Sequence, residues 1–342
     1  MPGLLEINQV GKREDFADVI ATVDAKNLPF TSMVPKGSEP ANSVYDWQTD
    51  AYDDAIMGGV VDGVDVVNAD YVNEASHRAK LHGRIQKFRK AFMVSDIAQN
   101  VSDVAGVGKR GEMKRAISRC IVEVKRNMEA TFCSDQDSQA DNGTTAPYLT
   151  RGAGKWIAAA AQADLPVPAG YLTPATSILT MTTATMLETD VNAMCESVYR
   201  QTGQQNDFDL ICGTAVKKLF SSFAAWVPSA VSTVPLRRFN QDADSKAIIN
   251  TVDFWQGDFG STKLILSLFL AKDATGTAPV IANIQNGRAY LINWDLWELR
   301  YNRQPQFNEN PNLGGGPRGY VDAICGLVMY NPLGCGKIAP TA

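Results

Sequence analysis

His77 and His82 are the only imidazoles in the chain, so they bound any reaction that needs a base near neutral pH. They stand five residues apart. On a strand that spacing sends them to opposite faces, so they cannot share a metal ion without a bend. A Ser-His-Asp site would have to use one of them, and no nucleophile elbow G-x-S-x-G is present. "RGAGKW" (Arg151 to Trp156) has part of a phosphate loop. Leu149 stands where its first glycine belongs, and Trp156 where a hydroxyl would meet Mg²⁺. Asp53, Asp54, Asp62, Asp65 and Asp70 crowd "DDAIMGGVVDGVDVVNAD", but not at calcium-loop spacing, and no glutamate closes the set. We expect surface or structural histidines, a solvated acidic tip, no cofactor, no metal and no enzyme.

The chemistry that remains is ionic. The net charge of −5 hides a division. Residues 1–70 hold thirteen acidic and four basic side chains, a net of −9; residues 75–130 hold thirteen basic and five acidic, a net of +8. Opposite segments of this kind meet within one chain or between copies. The candidates for contact between copies are Arg78, Lys80, Arg84, Lys87, Arg89 and Lys90 on one side. On the other are Asp46, Asp50, Asp62 and Asp65. Basic runs also neutralise nucleic-acid phosphates. The pI near 5.2 lacks the domain-wide basicity of a direct binder. A DNA-binding accessory protein is therefore the alternative reading, and an enzyme of unknown type a weaker one.

The 342 residues are 45% hydrophobic, enough for one large domain or two ordinary ones. Charged residues are 20%, below the usual level of about 25%. That suits a subunit burying its surface against others. No run reaches the roughly 18 apolar residues of a membrane span. "MPGLLEINQVGKREDF" lacks the regions of a signal peptide. The six cysteines are scattered without C-x-x-C, which reads as reduced thiols in a cytosolic protein.

The elements that position these residues mix helix and strand without regular alternation, an α+β pattern. "GKREDFADVIATVDA" could form a short helix. "NLPFTSMVPKGSEPAN" should break any helix at Pro29, Pro35 and Pro40 and lie as an extended arm on another surface. "SVYDWQTDA" alternates as a strand, and "EASHRAKLHGRIQKFRKAFMVS" returns, giving a long two-stranded ribbon with an acidic tip. A long helix from about Lys109 to Phe132 carries the stripe Met113, Ile117, Cys120, Ile121, Val124, Met128 and Phe132. A second helix follows in "TATMLETDVNAMCESVYRQTG", closed by Gly203. "NDFDLICGTAVKKLFSSF" reads as strand, turn and helix. "STKLILSLFLAKD", "AYLINWDLWELRYNRQ" and "GYVDAICGLVMYNPLG" read as strands.

The order of these parts resembles the major capsid proteins of tailed bacteriophages. "LPF", "DWQTD", "FRKAFMVSDIAQ", the helix end "KRNMEATF", "DFGSTKLIL" and "LWELRY" follow that family in order. The resemblance implies the shell fold shared by tailed phages and the herpesvirus capsid floor. It implies an N-terminal arm (1–42), an extended loop (43–95), a peripheral domain with a spine helix (96–202 and 288–342) and an axial domain (203–287). It further implies a virion capsid of hexamers and pentamers around double-stranded DNA, assembled in the bacterial host cytoplasm. The expected partners are copies of itself, a portal, packaged DNA on the inner surface, and a decoration or cement protein; no membrane is expected. Many relatives begin with a cleaved scaffolding segment. This chain starts almost at the arm, so a separate scaffolding protein is the expected partner.

Overall fold

A computed structural model of the chain describes residues 27–71, 73, 77–104, 107–180, 186–223, 252–270 and 287–339. The expected helix in residues 11–25 and the turn "ATGTAP" lie outside them. The described residues carry helices and sheets, as the α+β reading expects, packed around two cores.

The first core forms around the long helix. The elements that meet it are α1 (Pro29–Met33), β1 (Val44–Thr49), β2 (Ala79–Arg84), β3 (Gln86–Met93), α2 (Asp96–Asn100) and α3 (Glu112–Phe132). Gly108 and Arg110 take φ of +72° and +66°, so the chain turns there and α3 starts at Glu112 rather than Lys109. Cys120, Val124, Met128 and Phe132 are fully buried; Met113, Ile117 and Ile121 are half-buried on the same stripe. After α4 (Ala153–Trp156), β4 (Ile178–Leu179), α5 (Glu188–Thr202), β5 (Asn206–Cys212) and α6 (Thr214–Phe223) come β6 (Phe254–Gly257), β7 (Gly260–Leu266) and β8 (Ala289–Ile292). The chain ends with β9 (Trp297–Asn310), β10 (Arg318–Met329) and β11 (Gly336–Ile338). α3 lies on the antiparallel sheet β3-β10-β9; Phe88 of β3 meets Phe132 edge-on at 6.2 Å, and Lys90 reaches Glu123 of α3 at 3.1 Å.

The second core sits against a mixed sheet of order β4-β11-β8-β5-β7-β6. Val191, Met194 and Val198 of α5, Phe208 and Leu210 of β5, and Val216 and Phe220 of α6 fill it. Gly203 closes α5 with φ +66°, as its C-cap position predicts. β8 divides the two cores. Ala289 and Leu291 pack into the second and Tyr290 and Ile292 into the first, the two faces of one strand. This sheet therefore draws strands from both sides of residue 288.

Two sequence expectations need correction. The first concerns the arm. Pro29 does not break a helix; it occupies the first helical position, where its missing N–H is not needed. Phe30 is 0% exposed, ringed by Phe132, Trp294 and Trp297 at centroid distances of 6.4, 5.7 and 5.8 Å. Beyond it, Pro35 and Gly37 hydrogen-bond both backbone groups of Leu299, adding a parallel bridge to the β9 edge. The described part of the arm thus lies on its own body. The second concerns the return run, which is not one ribbon strand. It divides at Ile85: β2 pairs with β1 from Thr49↔Ala79 to Val44↔Arg84, and β3 joins β10. Phe88 turns that second half toward α3, and its burial outweighs a longer ribbon.

Candidate functional site

The β1–β2 ladder carries the feature that most resembles a binding element. One of its faces is seated on the body: Tyr45 donates to the Leu327 carbonyl at 3.2 Å, and the Trp47 indole to Met329 at 3.1 Å. Tyr45 fits because Gly83 and Gly326 have no side chain. A Cβ on Gly326 would stand 2.3 Å from the Tyr45 hydroxyl. Beyond Thr49 the chain runs out as an exposed excursion. Tyr52 and Met57 are 102% and 101% exposed, Ile56 90%, and Val60, Val61, Val64, Val66, Val67 and Tyr71 are exposed with them. Residues 50–71 contain six aspartates and no lysine or arginine.

Lys80 meets Asp46 at 2.5 Å diagonally across the ladder, and Arg78 meets Asp50 at 3.5 Å just beyond its end. His82 also reaches Asp46, at 2.6 Å, and Lys80 chiefly holds that carboxyl below the usual range. Arg84 makes a two-pronged bond to Asp164 at 2.7 and 3.0 Å. Lys87 faces Asp322, whose side chain is 0% exposed, at 3.4 Å, and Arg303 joins it from β9 at 3.2 Å. Arg89 lies 4.9 Å over the Tyr320 ring. The chain itself therefore supplies a partner to each of the six basic candidates. Asp62 and Asp65 sit in the excursion with no ion pair among the described residues.

The other motifs are absorbed by packing. Ala153, Gly154 and Trp156 of "RGAGKW" are buried, and Arg151 stacks on Trp156 at 4.5 Å. His77 and His82 meet Asp53 and Asp46 separately. All six cysteines are free and buried, and burial pushes the Cys195 and Cys212 thiols up to about 12. Among the described residues no group of acidic, histidine or cysteine side chains could hold a metal, and no helix is long and apolar enough to cross a membrane.

Sequence reading missed the buried charges. Glu129 accepts from the Phe30 and Thr31 amides at 2.9 and 2.7 Å and from the Thr31 hydroxyl; burial raises its pKa and those bonds oppose the rise. Asp135 receives Arg288 and faces Lys337 at 3.5 Å, while Lys337 donates to the Gly154 carbonyl at 2.5 Å. This group ties the strands of the second core to the first. For Glu129 and Asp322 the sequence signal is a charge inside an apolar run, "NMEATF" and "GYVDAICGLV".

A packed body with an exposed apolar excursion is the build of an assembly subunit. The sequence matches the family of the SU10 major capsid protein over residues 5–342. The chain belongs to the SU10 major capsid protein family. It is thus a phage major capsid protein of an icosahedral shell, a structural protein and not an enzyme. Solved structures with the same fold include the cyanophage P-SCSP1u capsid, at 13% identity and TM-score 0.56, covering 99% of this chain and 97% of that one. The Gordonia phage Cozz structure matches at 14% identity and TM-score 0.55, with 99% of each chain covered. The capsid of the native GTA particle matches at 10% identity and TM-score 0.58, covering 97% and 96%. No curated protein matches. In this SU10-family subunit the excursion is the longest exposed apolar stretch among the described residues.

Proposed function

We propose that this capsid subunit forms hexamers and pentamers around double-stranded DNA, and that residues 50–71 bind a neighbouring copy. The supporting observation is the run of nine exposed large apolar residues from Tyr52 to Tyr71, the longest such run among the described residues. A lone subunit gains nothing from displaying them, and burial against a second copy recovers about 25 cal/mol per Å². Asp62 and Asp65 set the register of that contact. Arg78, Lys80, Lys87 and Lys90, with half-exposed heads, present charge to a neighbour while bound to their own carboxylates. The exposed pairs among these, Arg78–Asp50 and Lys80–Asp46, contribute about 0–1 kcal/mol each and mainly exclude wrong contacts. A separate scaffolding protein, a portal and a decoration protein complete the assembly, which takes place in the host cytoplasm.

The test is co-expression of the chain with its scaffolding protein, followed by negative-stain microscopy. The Ile56→Ser, Met57→Ser, Val60→Ser, Val61→Ser variant should give folded, soluble subunits and few shells. A normal yield of shells from it would reject the role of the excursion.

A second reading rests on the outer face of α3. Lys114, Arg115 and Lys125 are exposed there with no ion pair among the described residues. That face suits phosphates of packaged DNA, or of DNA bound by an accessory virion protein. A steep salt dependence and a small discrete complex in filter binding would favour the accessory protein.

A further inference from the structure

The excursion continues the β1–β2 ladder, so the direction of the ladder decides where its apolar residues go. A two-stranded ribbon of six pairs does not hold a direction by itself. Tyr45 and Trp47 seat one face. Both ends are gripped by one irregular segment, residues 157–172. At the base, Asp164 takes the guanidinium of Arg84, the last residue of β2. At the far end, the Tyr171 hydroxyl donates to the His77 carbonyl at 2.5 Å, two residues before β2 begins.

The segment is itself built rigidly. Leu165 has φ +46°, an uncommon left-handed conformation for a side-chain-bearing residue. It is held there by Arg151, 1% exposed, which donates to the carbonyls of Asp164 and Leu165, the latter at 3.0 Å. Asp137 fixes Arg151 at 3.0 Å and the Ala163 amide at 3.1 Å. The Ser138 hydroxyl donates to the Asp164 carbonyl at 3.3 Å. The Gln162 side chain bridges the Lys155 carbonyl and the Val167 amide at 3.1 and 3.0 Å. With its backbone pinned in this way, Asp164 offers its carboxylate to Arg84 in one orientation.

We infer that residues 157–172 are a strut that aims the excursion, with Asp164 and Tyr171 as its positioning residues. The aim is a property of the single chain. Its consequence for assembly rests on the proposed contact between copies.

The test uses the full chain. All six native cysteines are buried, so spin labels can be placed at Ala51→Cys, beyond the ladder, and Lys125→Cys, on the exposed face of α3. Pulsed electron resonance then reads the distance distribution between them, and microscopy reads particle size. In Asp164→Asn and Tyr171→Phe the distribution should become roughly twice as wide at an unchanged unfolding midpoint in the phenylalanine variant. Tyr171→Phe keeps the ring and removes only the hydroxyl, so it decides the matter if Asp164→Asn fails to fold. Wide distributions with malformed shells support both the strut and the contact between copies. Wide distributions with normal shells keep the strut and reject the need for its aim in assembly. A distribution as narrow as the parent's overturns the strut whatever the shells look like.

Discussion

Glu129 Oε1 accepts the amide proton of Phe30 at 2.9 Å, joining the last turn of α3 to the N-terminal arm across 99 residues of chain. Oε2 takes the Thr31 amide at 2.7 Å. One side chain thus satisfies two amides at the start of α1, which no intrahelical acceptor can serve. Glu129→Ala leaves the buried Phe30 amide and the part-buried Thr31 amide without this acceptor. We expect a loss of about 1–3 kcal/mol in urea unfolding of the unassembled subunit.

Phe30→Ala tests the docking of the arm more directly. The ring is 0% exposed in a cage of Phe132, Trp294 and Trp297. Emptying such a site costs about 3–5 kcal/mol. That loss should appear in the lone subunit. If the arm lay on a neighbour instead, the lone subunit would unfold at its parental midpoint.

Two carboxylates give opposite pH signatures. The Arg84 guanidinium holds Asp164 below the usual carboxylate range. Its contribution is therefore present above the unfolded value of about 3.9 and lost as pH falls through the lowered folded value. Burial raises Glu129, so its contribution is present below about 4.3 and lost as pH rises through the raised folded value. Asp164 faces Arg84, Arg151 and the Ser138 hydroxyl, and Glu129 faces Cys133 and Tyr301. In unfolding series across acidic pH, Asp164→Asn should remove the first slope and Glu129→Gln the second.

Gly326→Ala probes the seat of Tyr45. The added methyl would stand 2.3 Å from the tyrosine hydroxyl and 2.9 Å from the Arg84 carbonyl. Overpacking of this kind costs about 1–3 kcal/mol. The unfolding midpoint should drop, and the Tyr45 bond to Leu327 should be lost in a structure of the variant.

The parts legible in the sequence are those with local signals. α3 and α5 follow from apolar spacing, Gly203 from its cap position, and the pairing of β1 with the residues around Leu81 from alternation. The break at Ile85 was not legible, because Phe88 leaves the ribbon only to meet Phe132, forty-four positions away. Nor was the pairing of the basic residues within the chain: Asp164 and Asp322 lie far from Arg84 and Lys87 in sequence. The exchange of Arg84 and Lys87 for glutamate, which sequence alone treats as a surface change, would set a carboxylate against buried Asp322 and destabilise the subunit. The excursion was legible as a tip from its Gly- and Asp-rich run, but its nine exposed apolar residues do not fit the solvated acidic tip expected from the aspartates.

Residues 50–71 should be open in the lone subunit and covered in the shell. Hydrogen exchange of peptides from that segment, in free subunits and in assembled particles, tests this most directly. Fast exchange in the free subunit and strong protection in the particle is the expected result. Equal exchange in both, fast or slow, would contradict it.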